Sequence, residues 1–493
     1  METPEQSYTY AETLALAEKA ACALARCGVG KGSRVAVWCK DSPEFLLLYL
    51  GLELLGSVPV LLNTSLTGTE AAALMKKVGA NAVYYDDGFK ETSFPEEAAK
   101  HALPGARYIP DFLRELPEPG PEERRALRGI TDALRPEDPD VIIFTSGTSG
   151  TAKGVLSTHL ARVNVARVQA ETISLTEEDK SCVAIPMFHC FGLTGVILAA
   201  LYSGGCLYFP GGRHTKQLLE AMSVHGCTVF SAVPTLFSAI LARLDLEQFD
   251  LHTLRTGYIG GSVYTPEFFR RVERAMHFRL APSLGQTEAT AGLTFISPEE
   301  PEELRAPSVG RFMEGLEGEI RDIESGKPLG TGKTGEICIR GWSVMKEYVG
   351  EPELTKSVLE PDGWLHTGDL AWLDEERCLH MNGRLKELII RGGENISPGE
   401  IEAVIGQDPR VREVKCVAVP DAHYGEEICA CVVLREGASG MKEEHIRALA
   451  AGHLAAYKVP RYVLFMDSLP RTGSGKLALK KLKDSAAEAL HLS

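Results

Sequence analysis

The stretch DVIIFTSGTSGTAKG, residues 140–154, joins an apolar run to a loop whose side chains can pack very little. Branched and aromatic residues at 141–144 predict a buried strand. The ten residues that follow hold three glycines, five hydroxyl residues and Lys153. Glycines let backbone N–H groups converge on an anion, while the hydroxyls and the ammonium add donors and charge. The stretch therefore predicts a phosphate-binding loop directly after a buried strand.

Two other interpretations of this loop are weaker. A flexible Gly/Ser linker would not explain why the loop follows a buried strand directly. A Walker phosphate loop needs Gly before its Lys and Ser or Thr after it, but here Ala152 precedes Lys153 and Gly154 follows. The stretch RTGSGKL near the C-terminus fails in the same way, with Pro470 at the first Gly position and Leu477 after its lysine.

The chain around the loop alternates helical and strand patterns. Helical spacing over residues 9–29 and 44–56 alternates with short apolar runs at 34–39 and 58–62. This alternation predicts an α/β fold with a large N-terminal domain of mixed, mostly parallel sheets sandwiched by helices. Composition changes near Asn382, which predicts a small α+β C-terminal domain. We predict domains at 1–383 and 384–493.

Composition and charge exclude several classes. With 44% apolar and 24% charged residues the chain is typical of globular proteins, and its net charge of −15 argues against a general nucleic-acid binder. The twelve cysteines form no CxxC pair and are predicted to be free thiols. Residues 181–212 lack charge, but prolines and glycines interrupt them, so we expect a buried helix and a strand with no transmembrane segment. The N-terminus METPEQSYTY has no basic start, which favours a cytoplasmic protein.

Further stretches follow the loop in a fixed order. They are PMFHCFGL (186–193), SLGQTE (283–288), GEICIRG (335–341), HTGDL (366–370), GRLKELIIRGGENISPGEIE (383–402) and PRTGSGK (470–476). Together with the loop they resemble the motifs of the adenylate-forming superfamily, in its acyl-CoA synthetase (AMP-dependent synthetase and ligase) family. The resemblance implies an N-terminal adenylation domain and a mobile C-terminal lid domain that carries a catalytic lysine.

The resemblance also implies a reaction and its reactants. Members activate a carboxylate with ATP, release pyrophosphate and pass the acyl group from AMP to a thiol, so we expect ATP, Mg²⁺ and CoA to be used. By resemblance, the residues that bind the nucleotide or coenzyme are Thr145, Ser146, Gly147, Thr148, Ser149, Gly150, Lys153, Ser283, Leu284, Gly285, Asp369, Arg384, Gly392 and Gly393.

The catalytic residues implied in the same way are Lys476, Glu288, Thr287 and His189. Glu288 and Thr148 would hold the metal, and Lys386 lies at the hinge position of the family. Two anions must meet in the first step, so a flexible ammonium such as that of Lys476 would supply charge where the transition state needs it. Ala152 and Leu284 depart from the usual proline and aromatic residues, which leaves adenine placement less defined.

The acyl pocket is expected at His189, Val233, Gly260, Gly261 and Ser262. The stretches MFHCFG, SAVPT, YIGGS and SLGQT hold no charged residue, which favours an acid with a neutral fatty or aryl tail. Two alternatives stay open: a ligase that loads a carrier protein in trans, and a nucleotide-binding protein that has lost catalysis. The expected partners are the acid, ATP and CoA, with a carrier protein as the alternative acceptor.

Overall fold

The computed structural model describes residues 1–145, 152–391, 394–421, 423–438, 440–471 and 477–492, without the side chains of residues 394 and 395. Two compact units are present, one of residues 1–318 and 339–366 and one of residues 319–338 and 367–493. The boundary expected between residues 383 and 384 stays a prediction.

Helices surround the sheets of the first unit. They are α1 (Tyr10–Arg26), α2 (Pro43–Leu54), α3 (Gly68–Val78), α4 (Phe94–Lys100), α5 (Ile109–Arg114), α6 (Pro121–Asp132), α7 (His159–Thr172), α8 (Ala199–Ser203), α9 (Thr215–Ser223), α10 (Pro234–Leu241), α11 (Pro266–Met276), α12 (Glu302–Arg305) and α13 (Pro352–Lys356). A wider helical segment, Phe191–Leu198, leads into α8, and single turns lie at Leu246–Gln248 and Thr287–Ala289.

The strands up to residue 373 include three, β15, β16 and β18, in which the chain passes from one unit to the other. They are β1 (Arg34–Trp38), β2 (Val58–Leu61), β3 (Ala82–Tyr85), β4 (Gly88–Phe89), β5 (Thr92–Ser93), β6 (Arg107–Tyr108), β7 (Pro139–Thr145), β8 (Lys153–Thr158), β9 (Lys180–Cys182), β10 (Cys206–Tyr208), β11 (Thr256–Ile259), β12 (Arg279–Leu284), β13 (Thr294–Phe295), β14 (Arg311–Phe312), β15 (Leu316–Arg321), β16 (Gly335–Gly341), β17 (Glu347–Tyr348) and β18 (Leu365–Leu373).

The largest sheet of the first unit has the strand order β17-β8-β7-β2-β1-β3-β6. The pairs from β7 to β6 are parallel, while β8 is antiparallel to both β7 and β17. In β7, Val141 and Ile143 enter one apolar core and Ile142 enters another on the opposite face. Both faces of the sheet are therefore covered, which confirms the α/β class predicted from the alternating pattern.

The stretches predicted to form the acyl pocket lie among a second group of paired strands in the first unit. β9 and β10 are parallel, as are β11 and β12, and single bridges from Val229 to Ser181 and to Thr256 join the two pairs. β13 and β14 continue from β12 in antiparallel order. The uncharged segment 181–212 contains the helical stretch 191–203 followed by β10, as predicted, and it begins in β9, which was not predicted. Among the described residues, no helix has the length and apolar character needed to span a bilayer.

Helix starts follow local sequence signals. Thr9 caps α1, because its side chain accepts from the Glu12 amide while the Glu12 carboxylate accepts from the Thr9 backbone. Ser42 caps α2 in the same manner through its hydroxyl, with Pro43 at the first helical position. Both helices lie where the apolar spacing predicts them.

The described residues of the second unit form two sheets and three helices. Its remaining strands are β19 (Leu379–Arg384), β20 (Ile389–Arg391), β21 (Glu394–Ile396), β22 (Val411–Asp421), β23 (Gly425–Leu434) and β24 (Tyr462–Phe465). Its helices are α14 (Pro398–Ile405), α15 (Glu443–His453) and α16 (Leu479–Ala489), with single turns at Leu385–Glu387 and Ala456–Lys458. One sheet has the order β15-β16-β18-β19, and the other has the order β21-β20-β23-β22 with β24 beside β23. This α+β arrangement confirms the predicted class of the C-terminal part.

Candidate nucleotide and acyl site

The predicted phosphate loop begins and ends on adjacent strands. Thr145, the last residue of β7, pairs with Lys153, the first residue of β8, and Phe144 pairs with Gly154. The pairing of β7 with β8 therefore holds the two ends of the loop together. The loop starts at the carboxyl end of the buried strand β7. The predicted residues Ser146, Gly147, Thr148, Ser149 and Gly150 lie outside the described residues.

The Lys153 side chain is held by an aromatic ring. Its residue is 8% exposed, and its Nζ atom lies 4.6 Å from the centre of the Tyr348 ring. Tyr348 belongs to β17, in which it pairs with Val155, and the Val349 amide donates to the Gly154 carbonyl at 2.8 Å. A cation over an aromatic face is attracted by the ring quadrupole, so the ammonium has a defined place beside the base of the loop.

A second lysine contacts the same loop from α3. Lys77 Nζ donates to the Ala152 carbonyl at 2.7 Å and lies 3.1 Å from the Glu351 carboxylate. The sequence analysis missed both Lys77 and Tyr348. Neither lies in a motif: Tyr348 reaches the loop through the pairing of β17 with β8, and Lys77 reaches it from the end of α3.

The SLGQTE block forms a tight turn at the end of β12. A Cβ atom on Gly285 would stand 2.2 Å from the Ala291 carbonyl oxygen, so only glycine fits there. The turn carries Thr287, whose Oγ1 atom lies 3.7 Å from the Cys190 sulfur. The fold thus brings Thr287, a predicted catalytic residue, beside the predicted acyl-site stretch MFHCFG.

The next residue of the turn, Glu288, is hydrogen-bonded to β17 and to the segment just before it. Its carboxylate accepts a hydrogen bond from the Tyr348 hydroxyl at 2.7 Å, and its carbonyl accepts from the Met345 amide at 2.8 Å. Burial and the adjacent Glu288 charge raise the pKa of Tyr348, so the phenol stays a hydrogen-bond donor. A half-buried carboxylate oxygen is a ligand type that Mg²⁺ prefers, so the residue present fits the predicted metal.

The predicted pocket residues lie at the carboxyl ends of neighbouring parallel strands. Gly260, Gly261 and Ser262 follow β11, and Val233 precedes α10. A Cβ atom on Gly261 would stand 3.2 Å from Val233 Cγ1, and one on Gly260 would stand 2.7 Å from Ser283 Oγ. The fold therefore brings three of the predicted pocket stretches into contact.

His189 follows a turn that is hydrogen-bonded to Asp41, which lies just before α2. The Met187 amide donates to Asp41 Oδ1 at 2.7 Å, and the His189 amide donates to the Pro186 carbonyl at 3.1 Å. Burial raises the pKa of Asp41, and the Arg213 guanidinium opposes that rise. The imidazole packs against Phe188 with the ring centres 4.6 Å apart.

The second unit holds two further predicted residues as a pair. Asp369 on β18 stands opposite Arg384 on β19, with 2.8 Å between Arg384 Nε and Asp369 Oδ1. The Asp369 side chain is 3% exposed and that of Arg384 is 63% exposed. Lys386 is exposed in the turn Leu385–Glu387. The predicted residues Gly392, Gly393 and Lys476 lie outside the part of the chain that the structure describes.

Comparison with known proteins agrees with this geometry. Residues 2–349 match the family described as AMP-binding enzyme, and residues 400–476 match the AMP-binding enzyme C-terminal domain. The chain belongs to the AMP-binding enzyme family. Among curated proteins, this AMP-binding enzyme is 35% identical to "Putative acyl-CoA synthetase YngI" of Bacillus subtilis, over 99% of this chain and 93% of that protein. It is 33% identical to the human mitochondrial medium-chain acyl-CoA ligase ACSF2, over 98% of this chain and 84% of that one.

Solved structures of AMP-binding enzymes share the fold over nearly the whole chain. ATP-bound MatB from Rhodopseudomonas palustris has a TM-score of 0.88 and 29% identity, covering 99% of this chain and 95% of its own. The o-succinylbenzoate CoA synthetase MenE of Bacillus subtilis, in complex with its acyl-adenylate, has a TM-score of 0.83 and 27% identity, covering 98% and 94%. The predicted superfamily, fold class and enzyme class are thereby confirmed: this AMP-binding enzyme is an ATP-dependent acid–thiol ligase of the acyl-CoA synthetase family.

Proposed function

We propose that this enzyme converts a monocarboxylic acid with a neutral, medium-length aliphatic tail to its acyl-CoA through an acyl-AMP intermediate. The observation that carries this proposal is the pocket wall at Val233, Gly260 and Gly261, whose contributing stretches hold no Lys, Arg, Asp or Glu. A second charge on the acid would be desolvated there without a partner. The human relative named a medium-chain acyl-CoA ligase supports an aliphatic tail of that length.

Residues of this chain offset the electrostatic repulsion between the carboxylate of the acid and the triphosphate of ATP. Lys153 and the loop that starts at Thr145 hold the β- and γ-phosphates, and Thr287 contacts the α-phosphate. Glu288 and Thr148 hold Mg²⁺, which when bound neutralises phosphate charge. Catalysis then comes from positioning and from charges placed before the reaction begins.

The remaining roles divide between the two half-reactions. Asp369, held by Arg384 at 2.8 Å, accepts hydrogen bonds from the ribose hydroxyls. Lys476 supplies positive charge during adenylation, and Lys386 is the hinge about which the C-terminal lobe turns. After that turn, Gly392 and Gly393 let the backbone approach the pantetheine arm of CoA.

An ATP–pyrophosphate exchange assay tests the activity and the acid preference together. Octanoate is expected to support exchange, and octanedioate, which carries a second carboxylate at similar length, is expected to give kcat/KM at least ~100-fold lower. Exchange with benzoate tests whether the enzyme accepts an aryl acid instead. EDTA should abolish exchange, because the proposed reaction uses a divalent cation. Equal rates with octanoate and octanedioate would refute the neutral pocket, and no exchange with any acid would refute the activity.

The thiol acceptor needs its own measurement. We propose CoA, and acyl transfer to free CoA is compared with transfer to purified carrier proteins after adenylate has formed. Acylation of a carrier but not of CoA would favour the ligase that acts in trans. The cytoplasmic location predicted from the sequence stays a prediction, and the human relative is named as mitochondrial.

A further inference from the structure

Tyr348 contacts two of the charged residues that bind nucleotide or metal in the proposed function. Its hydroxyl donates to Glu288 Oε1 at 2.7 Å, and its ring centre lies 4.6 Å from Lys153 Nζ. One side chain thus joins the residue that ends the phosphate loop to the residue proposed for the metal. These two residues are 135 positions apart in the chain.

The backbone of Tyr348 is itself fixed. Its amide donates to Thr355 Oγ1 at 3.0 Å, and its carbonyl accepts from the Glu351 amide at 3.0 Å. Strand pairing with Val155 sets its register against β8, and the residue is 3% exposed. A side chain this enclosed, on a backbone this constrained, has little freedom to move its hydroxyl or its ring.

We infer that Tyr348 is a positioning residue of the adenylation site, which orients the Glu288 carboxylate toward a divalent cation and the Lys153 ammonium toward the polyphosphate. This inference rests on the proposed function. The hydroxyl engages Oε1, so the rotation of the carboxylate is set and Oε2 has a fixed direction. Groups that orient a metal ligand in this way alter metal affinity without touching the metal.

The two contacts of Tyr348 can be separated by substitution. Tyr348→Phe removes the hydrogen bond to Glu288 and keeps the ring face under Lys153. Tyr348→Leu removes both. Tyr10→Phe is the control, because Tyr10, on α1 of the same unit, also loses only hydroxyl hydrogen bonds, to the Gly205 carbonyl at 2.8 Å and to the Ala200 carbonyl at 3.4 Å.

The test uses Mn²⁺ as the probe and binding as the readout. Mn²⁺ is titrated into enzyme that holds a non-hydrolysable ATP analogue, and free Mn²⁺ is followed by electron paramagnetic resonance. Tyr348→Phe is expected to weaken Mn²⁺ about 10-fold, the size typical of a lost partner of a metal ligand. Binding of the analogue without metal should stay as in the wild type. Tyr348→Leu should weaken that metal-free binding as well, by about 3- to 5-fold.

A double variant tests whether Tyr348 acts through the Glu288 carboxylate. In a Glu288→Gln background, adding Tyr348→Phe should change Mn²⁺ affinity by less than about 2-fold, because the group that Tyr348 orients no longer binds the metal well. Unchanged Mn²⁺ affinity in Tyr348→Phe overturns the inference. So does an equal loss of Mn²⁺ and metal-free nucleotide binding, which would indicate a role in folding alone. If wild-type enzyme shows pyrophosphate exchange while these variants bind Mn²⁺ normally, the inference fails and the proposed function stands.

Discussion

Replacing Arg162 with methionine should destabilise the first unit strongly. Arg162 lies on α7 and is 2% exposed, and its guanidinium donates to Asp140 on β7, to Thr194 Oγ1 at 2.5 Å and to Ser157 Oγ at 2.5 Å. The residue therefore ties the strand that leads into the phosphate loop to the helical segment after His189.

The magnitude follows from the charge that is left behind. Removing one partner of a buried ion pair costs about 3–5 kcal/mol, because the other charge stays desolvated without compensation. Glu53 is close to Asp140, and burial followed by the Asp140 charge already raises the pKa of Glu53, which the Arg162 charge opposes. Without the guanidinium, a carboxyl group of this pair takes up a proton, which limits the loss to about 3 kcal/mol.

Urea unfolding followed by tryptophan fluorescence measures the effect. If the free energy of unfolding falls by about 3 kcal/mol per M urea, a loss of about 3 kcal/mol should lower the urea midpoint for unfolding of the first unit by about 1 M. The deficit should be larger at pH 8 than at pH 5. When the pKa of a carboxyl group is higher in the folded protein than in the unfolded chain, the folded protein loses stability as pH rises from the unfolded-state pKa to the folded-state pKa. The double variant Arg162→Met/Asp140→Leu should recover most of the loss, since it removes both charges. A midpoint equal to the wild type, or a double variant less stable than the single one, would refute the reasoning.

Lys476→Ala should lower adenylation by about 10²-fold or more while sparing thioester formation from supplied acyl-adenylate, and equal losses would contradict its role. Lys386→Pro should leave pyrophosphate exchange measurable and abolish transfer to CoA, because proline fixes φ at the proposed hinge. Lys77→Met should raise the Kd for ATP about 10-fold in calorimetry, since it removes a charged hydrogen bond to the Ala152 carbonyl, whereas an unchanged Kd would show that the loop needs no such contact. In absorbance titration at 295 nm, Tyr348→Phe should not change the number of tyrosines that ionise below pH 11, because the pKa of Tyr348 is raised by burial and by Glu288.

Much of the fold is predictable from local pattern. The apolar run at 141–144 became β7, and the alternating helix and strand patterns before it became a sheet covered on both faces. These elements depend on periodicity and burial, which a short window of sequence carries. The same holds for capped helices such as α1, whose start Thr9 and Glu12 mark directly.

The site is predictable only where a motif carries it. Thr287 and Glu288 were expected from SLGQTE, and they lie beside Cys190 and Tyr348 respectively. Tyr348 could not be expected, because its importance comes from antiparallel pairing of β17 with a strand nearly two hundred residues earlier. Long-range pairing of this kind leaves no local signal. Arg162 was also missed, since only its burial beside Asp140 distinguishes it from a surface arginine of a helix.

The turn at residues 260–262 follows β11, in which every residue is buried. Side chains that would face an acid are thus separated from those that hold the scaffold together. We therefore expect a substitution of the exposed Ser262 to cost folding less than one of Gly260, where an added Cβ would stand 2.7 Å from Ser283 Oγ. In the proposed function, acid preference can therefore diverge at this turn while the buried strand that carries it stays unchanged.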